Sequence, residues 1–178
     1  QRQMCIRDSA SGDVVATQMH RFAIRGRATG TAAPSQAPEW GGGKSATKVV
    51  PTPRSFVDRA TVTAPQDMTP FALVSGDYNP IHTSYNAAQL VNLQAPLVHG
   101  MWLSAAAQQV AGRHGRVVGW TYSMYGMVQL GDDIEVTVER VGRKGIHQAL
   151  EVTCRIDGEV VSRGQALLAA PTLSLIHI

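Results

Sequence analysis

The sequence predicts an α+β fold in which an antiparallel sheet wraps around one long central helix. Three observations carry this expectation. Residues 101–111 (MWLSAAAQQVA) are apolar on most sides and rich in alanine, the pattern of a buried helix. Downstream, Ile134, Val136 and Val138 alternate with Glu135, Thr137 and Glu139. Leu150, Val152, Cys154 and Ile156 alternate in the same way with Glu151, Thr153, Arg155 and Asp157, so both stretches read as half-buried strands. Finally, Asp157-Gly158 is a strong hairpin turn leading into a last strand over 160–168.

The chain has 178 residues, 44% of them hydrophobic, enough for one domain with spare length. Its two ends are set aside. Leu173 to Ile178 back-translates to a DNA string whose reverse complement, shifted by one base, encodes Met4-Cys5-Ile6-Arg7-Asp8 and begins the Ser9 codon. That string resembles a transposase-type sequencing adapter read in frame, so residues 1–9 and 172–178 are expected to be adapter-derived and the chain a fragment. Residues 13–27 alternate partially and predict one or two strands. From Ala28 to Pro53 the composition turns to Gly, Ala, Pro, Ser and Lys, which reads as a linker. Residues 54–63 read as a strand, broken by Ala64-Pro65, and Asp67 caps a short helix through Ser75. Residues 75–82 (SGDYNPIH) are too dense in turn formers for a regular helix. Thr83 or Ser84 caps a second short helix through Leu93, and Gly112 and Gly115 end the central helix. A strand-like run from Val117 to Val128 follows.

Composition excludes several classes. The net charge of +3 is scattered, with no basic run of the kind that marks nucleic-acid binding. No apolar stretch approaches the roughly 20 residues of a membrane helix, and no secretory signal is visible. Two cysteines, Cys5 and Cys154, make no disulfide framework, so the expected setting is a reducing cytoplasm. Gly41-Gly42-Gly43-Lys44-Ser45 resembles the end of a phosphate-binding loop, but Pro38 stands where its first glycine belongs. His20, His114 and His147 lack metal-ligand spacing and read as solvated or loop histidines. Trp40 reads as a linker anchor, Trp102 and Trp120 as core or tunnel wall, Met124 and Met127 as core packing, and Cys154 as a buried inert thiol.

The segment 71–104 carries the chemistry. Asp77 and His82 lie five residues apart in a loop whose Asn79-Pro80 restricts the backbone. A rigid loop holding one carboxylate and one imidazole is a proton-transfer device, although a turn-capping Asp and a structural His would read the same. Downstream, His99-Gly100 precedes the central helix, whose first turn offers unpaired N–H groups able to hold a developing oxyanion. A glycine there admits close approach by a substrate.

This segment resembles the MaoC-like dehydratase family, which includes the R-specific enoyl-CoA hydratases. The resemblance rests on Phe71, Ala72, Ser75, Gly76, Asp77, Asn79, Pro80, Ile81 and His82, on Ala87 or Ala88, and on Val98, His99, Gly100 and Met101. It implies a hot-dog fold over residues 54–171 with the helix from Gly100 at its centre. It also implies roles. His82 takes the α-proton of a (3R)-hydroxyacyl thioester, Asp77 protonates the departing hydroxyl, and the Gly100 N–H holds the thioester oxygen. Asn79 orients the loop or a water, while Ser75 and His99 support. The resemblance implies no metal and no redox cofactor, the substrate riding on CoA or on the phosphopantetheine of an acyl carrier protein. Two stretches, 76–108 and 118–136, look similar to the dehydratase region of bacterial type I fatty acid synthases. In that setting residues 10–53 would be the tail of a preceding hot-dog segment plus a linker. The partners would be other synthase domains and a second hot-dog, as a homodimer or within one chain. The alternatives are a free-standing R-specific hydratase and a non-catalytic acyl-binding or scaffold hot-dog. A hot-dog thioesterase is disfavoured, because residues 100–111 contain no Asp or Glu.

Overall fold

The computed structural model describes residues 2–7, 10–20 and 49–170. The chain divides into two compact units, Gln1–Ala46 and Thr47–Ile178. In the first, strands β1 (Arg2–Arg7) and β2 (Val14–His20) pair antiparallel. β2 falls where one or two strands were expected, and β1 lies in the stretch set aside as adapter-derived. Trp40 and the Gly41–Ser45 run lie outside the described residues.

The second unit is an antiparallel sheet of five strands in the order β3-β5-β6-β7-β4. These are β3 (Val50–Thr63), β4 (Val117–Met124), β5 (Asp133–Lys144), β6 (His147–Ile156) and β7 (Glu159–Leu168). Helix α1 (Thr69–Ser75), a 3₁₀ turn (Pro80–His82), helix α2 (Tyr85–Leu90) and the long helix α3 (Gly100–Gly112) fall between β3 and β4. Ser84 is the expected cap of α2, its Oγ accepting from Ala87 N–H at 3.4 Å; Asp67 lies one residue before the α1 cap position, Met68, and its carboxylate still accepts from Thr69 N–H at 2.8 Å. Asp157 and Gly158 both take positive φ (50° and 82°), the conformation a two-residue hairpin needs between β6 and β7. Among the described residues, no helix is long and apolar enough to cross a membrane.

β3 begins at Val50, inside the stretch read as linker, with Val50 opposite Arg143 and Pro51 opposite Gly142. Two prolines are tolerated there because β3 is an edge strand, where an N–H missing on the open side breaks no ladder. At the far edge, β4 stops at Met124 although the apolar run continues to Val128. Tyr125 and Gly126 both donate to the Val161 carbonyl, at 2.9 and 3.0 Å, and this turns the chain. Val128 then accepts from Val98 N–H at 2.9 Å, so the segment ends beside the start of α3 rather than in the sheet.

The core lies between the sheet and α3. Ile134, Val136, Val138, Leu150, Val152, Cys154, Ala166 and Leu168 point inward from the strands to meet Leu103, Ala107, Val110 and Ala111. Cys154 is fully buried, and burial pushes its thiol pKa up, so the inert-thiol expectation holds. Small residues on β7 make room for large ones on β4: Trp120 lies opposite Ala166 and Tyr122 opposite Gly164. The two rings stack at 5.6 Å, and Trp120 Nε1–H donates to Ser104 Oγ on α3 at 2.9 Å, pinning the helix to the edge strand. One expectation needs correction. Met124 and Met127 are 53% and 66% exposed, not core residues: Met124 ends β4 at its rim and Met127 lies beyond the turn at Tyr125-Gly126. The sheet packs on one side of α3, and a stripe through Met101, Ala105, Gln109 and Gly112 on the other side is exposed.

On β3, Arg54 bonds both Glu139 and Glu151, which oppose one another across β5 and β6. It thereby offsets a like-charge pair, although at this exposure the gain is small.

A methyl group on Gly164 would sit 2.6 Å from the Trp120 ring and 3.0 Å from that of Tyr122. Gly164→Ala is therefore expected to destabilise the fold by about 1–3 kcal/mol through overpacking, read as a lower urea midpoint at unchanged m-value. An unchanged midpoint would show that the two rings are not fixed in place.

Candidate active site

α1 ends at Gly76, whose φ of +71° lets its N–H bond the Ala72 carbonyl at 2.9 Å while the chain turns sharply. The loop that follows is held by its own side chains. Ser75 Oγ accepts from Asp77 N–H (3.2 Å), Asp77 Oδ1 from Asn79 N–H (3.2 Å), and Asn79 Oδ1 from Ile81 N–H (3.3 Å). These successive side-chain turns, with Pro80 opening the 3₁₀ turn, fix the spacing between Asp77 and His82. Ser75 and Asn79 thus act on the backbone of the loop, while the Asp77 side chain remains 51% exposed.

His82 meets the chain again at residues 97–99. Its Nδ1–H donates to the Leu97 carbonyl at 2.8 Å, which fixes the neutral tautomer and leaves Nε2 with a free lone pair. His99 is 1% exposed and stacks on His82 with ring centroids 3.9 Å apart; Phe71 packs on it at 5.2 Å. Its Nε2–H donates to the Asp77 backbone carbonyl at 3.0 Å, and the Asp77 carboxylate lies 4.0 Å away. His99 Nδ1 is buried without a hydrogen-bond partner. One nitrogen or carboxylate oxygen from each of Asp77, His82 and His99 falls within 4.8 Å of the others.

The His82 pKa is lowered from its ordinary value. Burial is the main cause; the neighbouring His99 lowers it further, while the Leu97 hydrogen bond and the Asp77 charge work the other way. A depressed pKa keeps the imidazole neutral near pH 7, as a base requires.

Gly100 opens α3, so its N–H has no acceptor within the helix. A Cβ at this position would overlap Sδ and Cε of Met124, so the flexible end of that side chain lies directly against Gly100. All six candidate residues (Ser75, Asp77, Asn79, His82, His99 and Gly100) therefore gather where the loop meets the start of α3. Sequence reasoning missed the Leu97 carbonyl, a backbone atom with no signature, and Met124, the last residue of β4, whose side chain lies against Gly100. Of the three histidines read as bystanders, His114 and His147 stay outside. His114 Nε2 lies 3.0 Å from Asp58 and holds that carboxyl below its ordinary pKa, His147 sits at the start of β6, and the His20 side chain is outside the described residues.

A family model, the MaoC like domain, matches residues 45–160. The chain is 32% identical over 114 residues to the fatty acid synthase subunit beta of Aspergillus oryzae, covering 60% of this chain and 6% of that protein. It is 31% identical over 112 residues to the 3-hydroxybutyryl-CoA dehydratase of Methylorubrum extorquens, covering 59% of this chain and 71% of that one. Among solved structures it is similar to the (R)-hydratase of A. caviae involved in PHA biosynthesis, with a TM-score of 0.58 and 23% identity over 66% of this chain and 97% of that one. That likeness shows the hot-dog fold expected from the sequence.

The imidazole of His82, followed by NMR, is expected to titrate below pH 6.5. Asp77→Asn should lower the midpoint further, because it removes the charge that favours the imidazolium. The folded chain binds this proton less well than the unfolded chain does. The contribution to stability is therefore complete above pH 6.5 and is lost as pH falls through the folded-state pKa. A midpoint at or above 6.5 would contradict the burial of the ring.

Proposed function

The chain belongs to the MaoC-like domain family, and on that premise we propose that it interconverts (3R)-hydroxyacyl and trans-2-enoyl thioesters, as the dehydratase portion of a fatty acid synthase. The observation that carries the reading is His82: an imidazole with Nδ1–H tied to a backbone carbonyl and Nε2 free, near the Asp77 carboxylate and the first N–H groups of α3.

In dehydration, His82 Nε2 takes the α-proton of the thioester and the C3–O bond breaks as Asp77 protonates the leaving hydroxyl. Enoyl thioester and water are released. The imidazolium proton then returns to the carboxylate, directly or through the released water. Charge that develops on the thioester oxygen is met by the Gly100 N–H, where the helix dipole adds to the hydrogen bond. Hydration runs the same steps in reverse. Asn79 and Ser75 position the loop, and His99 positions both Asp77 and His82.

The thioester itself acidifies the α-proton, so the reaction calls for neither metal nor redox cofactor. Asp77, His82 and His99 are close enough to hold an ion, but each histidine directs one nitrogen at a backbone carbonyl, an arrangement suited to fixing tautomers. The reading places the substrate on CoA or a phosphopantetheine arm. It adds a second hot-dog domain as partner, for which the exposed stripe on α3 and the open side of Asp77 leave room, and other synthase domains beyond it. Cys154, free and buried, fits a reducing cytoplasm. The second reading, a free-standing R-specific hydratase, is favoured by the Methylorubrum relative, most of whose length is matched.

The test is hydration of crotonyl-CoA by the chain, followed as loss of enoyl absorbance. Turnover should give the 3R alcohol, and Asp77→Asn and His82→Ala should each lower it by about 10²–10⁴-fold. A folded chain inactive on both CoA and carrier-protein substrates would favour a scaffold hot-dog instead. Gly100→Ala is expected to cost about 10²-fold, because the new methyl and Met124 compete for one space. Adding Met124→Ala should recover part of that loss; no recovery would place the fault in the helix itself.

A further inference from the structure

At the opposite end of α3 from Asp77 and His82, the sheet opens into a cavity of about 1090 Å³. Its wall carries Arg116, Arg140 and Arg143, together with His114, and no carboxylate. None of the three arginines makes an ion pair among the described residues, whereas Arg54 and Arg59 on β3 do. Asp58 is bonded to His114 of the wall, and Glu139 and Glu151 are taken by Arg54.

The arginines share the cavity for a structural reason. Arg140 and Arg143 are three residues apart on β5, and in a regular strand they would point to opposite faces. The register shift between Arg140 and Gly142 places Arg140 opposite Leu150 and Arg143 opposite Gln148. Leu150 and Gln148 are two residues apart on β6, so both arginines face the concave side beyond the end of α3. Re-aiming a side chain is what a β-bulge does. Arg116 is brought to the same rim where its carbonyl accepts from Ala169 N–H at 2.8 Å. The C-terminal end of α3 contributes only about half a negative charge against these three cations. Thr52 Oγ1, also in the wall, is buried without a partner, and Ile146 and Leu168 supply an apolar side.

We infer that this cavity binds a nucleotide-sized organic phosphate. Guanidinium groups match phosphate oxygens in pairs. The volume far exceeds a lone phosphate and is that of a drug-sized ligand, and the apolar side offers a surface to a flat base. The site is built from residues that take no part in the acid-base chemistry, so it stands whether or not that chemistry is right. The phosphate has two sources, the phosphorylated adenosine end of coenzyme A or a free nucleotide.

The test is calorimetric titration of the full chain with 3′,5′-ADP, coenzyme A, ATP and pyrophosphate at two salt concentrations, beside Arg140→Ala/Arg143→Ala and Arg140→Lys/Arg143→Lys double variants. The nucleotides are expected to bind more tightly than pyrophosphate and to weaken with salt. The alanine pair should lose about tenfold or more in affinity, and the lysine pair, which keeps the charge but loses the fork, should fall between. Preference for coenzyme A and 3′,5′-ADP, with a raised KM but unchanged kcat for crotonyl-CoA in the alanine variant, identifies the thioester's own carrier end. Preference for ATP with unchanged KM identifies a free nucleotide. Absence of saturable nucleotide binding, or a folded alanine variant that binds as the parent does, overturns the inference.

Discussion

The imidazole of His99 holds the geometry of the candidate site together. The Asp77 loop and the start of α3 are 22 residues apart in sequence, and the hydrogen bond from His99 Nε2 to the Asp77 carbonyl fastens one to the other. The same ring stacks on His82, and His82 in turn reaches back to Leu97, two residues before His99. Three segments are thereby closed into one unit around a side chain that is 1% exposed. The cost is an Nδ1 left buried and unpaired. Such a penalty persists only where the surrounding contacts outweigh it.

What was legible in the sequence follows from how local each determinant is. The alternation of β5 and β6, the Asp157-Gly158 turn, the Ser84 cap and the Asp67 hydrogen bond at the start of α1 are set within a few residues, and the structure has each of them. The loop carrying Asp77 and His82 is equally local, since its hydrogen bonds join residues two apart. What escaped depends on distant parts of the chain. The Leu97 carbonyl is a backbone atom fifteen residues from the ring that it orients. Met124 and Met127 read as core because the strand-like run continues past them, and only the bonds to Val161 reveal that the chain leaves the sheet just after Met124. Pro51 and Pro53 read as linker because an edge strand has no sequence mark distinguishing it from a loop.

α3 serves the two ends of the domain differently. Its first turn lies beside the candidate site, where free N–H groups favour negative charge. Its last turn points toward a wall of arginines set by a bulge in β5. The middle of the helix belongs to the core through Leu103, Ala107, Val110 and Ala111, with Trp120 anchoring Ser104. Packing in the middle thus sets the positions of chemistry at one end and charge at the other.

The order of strands in the sheet also governs how the domain assembles. β5, β6 and β7 follow one another through tight turns and need to close only short loops. β3 must instead find β5 across the whole helical region, as in the contact between Thr63 and Asp133, 70 residues apart. Closure of a long loop has an entropic cost that grows with its length, and non-local strand pairing is slow to form. The three-strand meander is therefore the natural nucleus, and β3 docks onto it late. The Asp77 loop lies between β3 and α3 in the chain, and the contacts that build the candidate site all fall within residues 71–99. A nascent chain therefore carries every residue of that site well before β5, the partner of β3, has been synthesised.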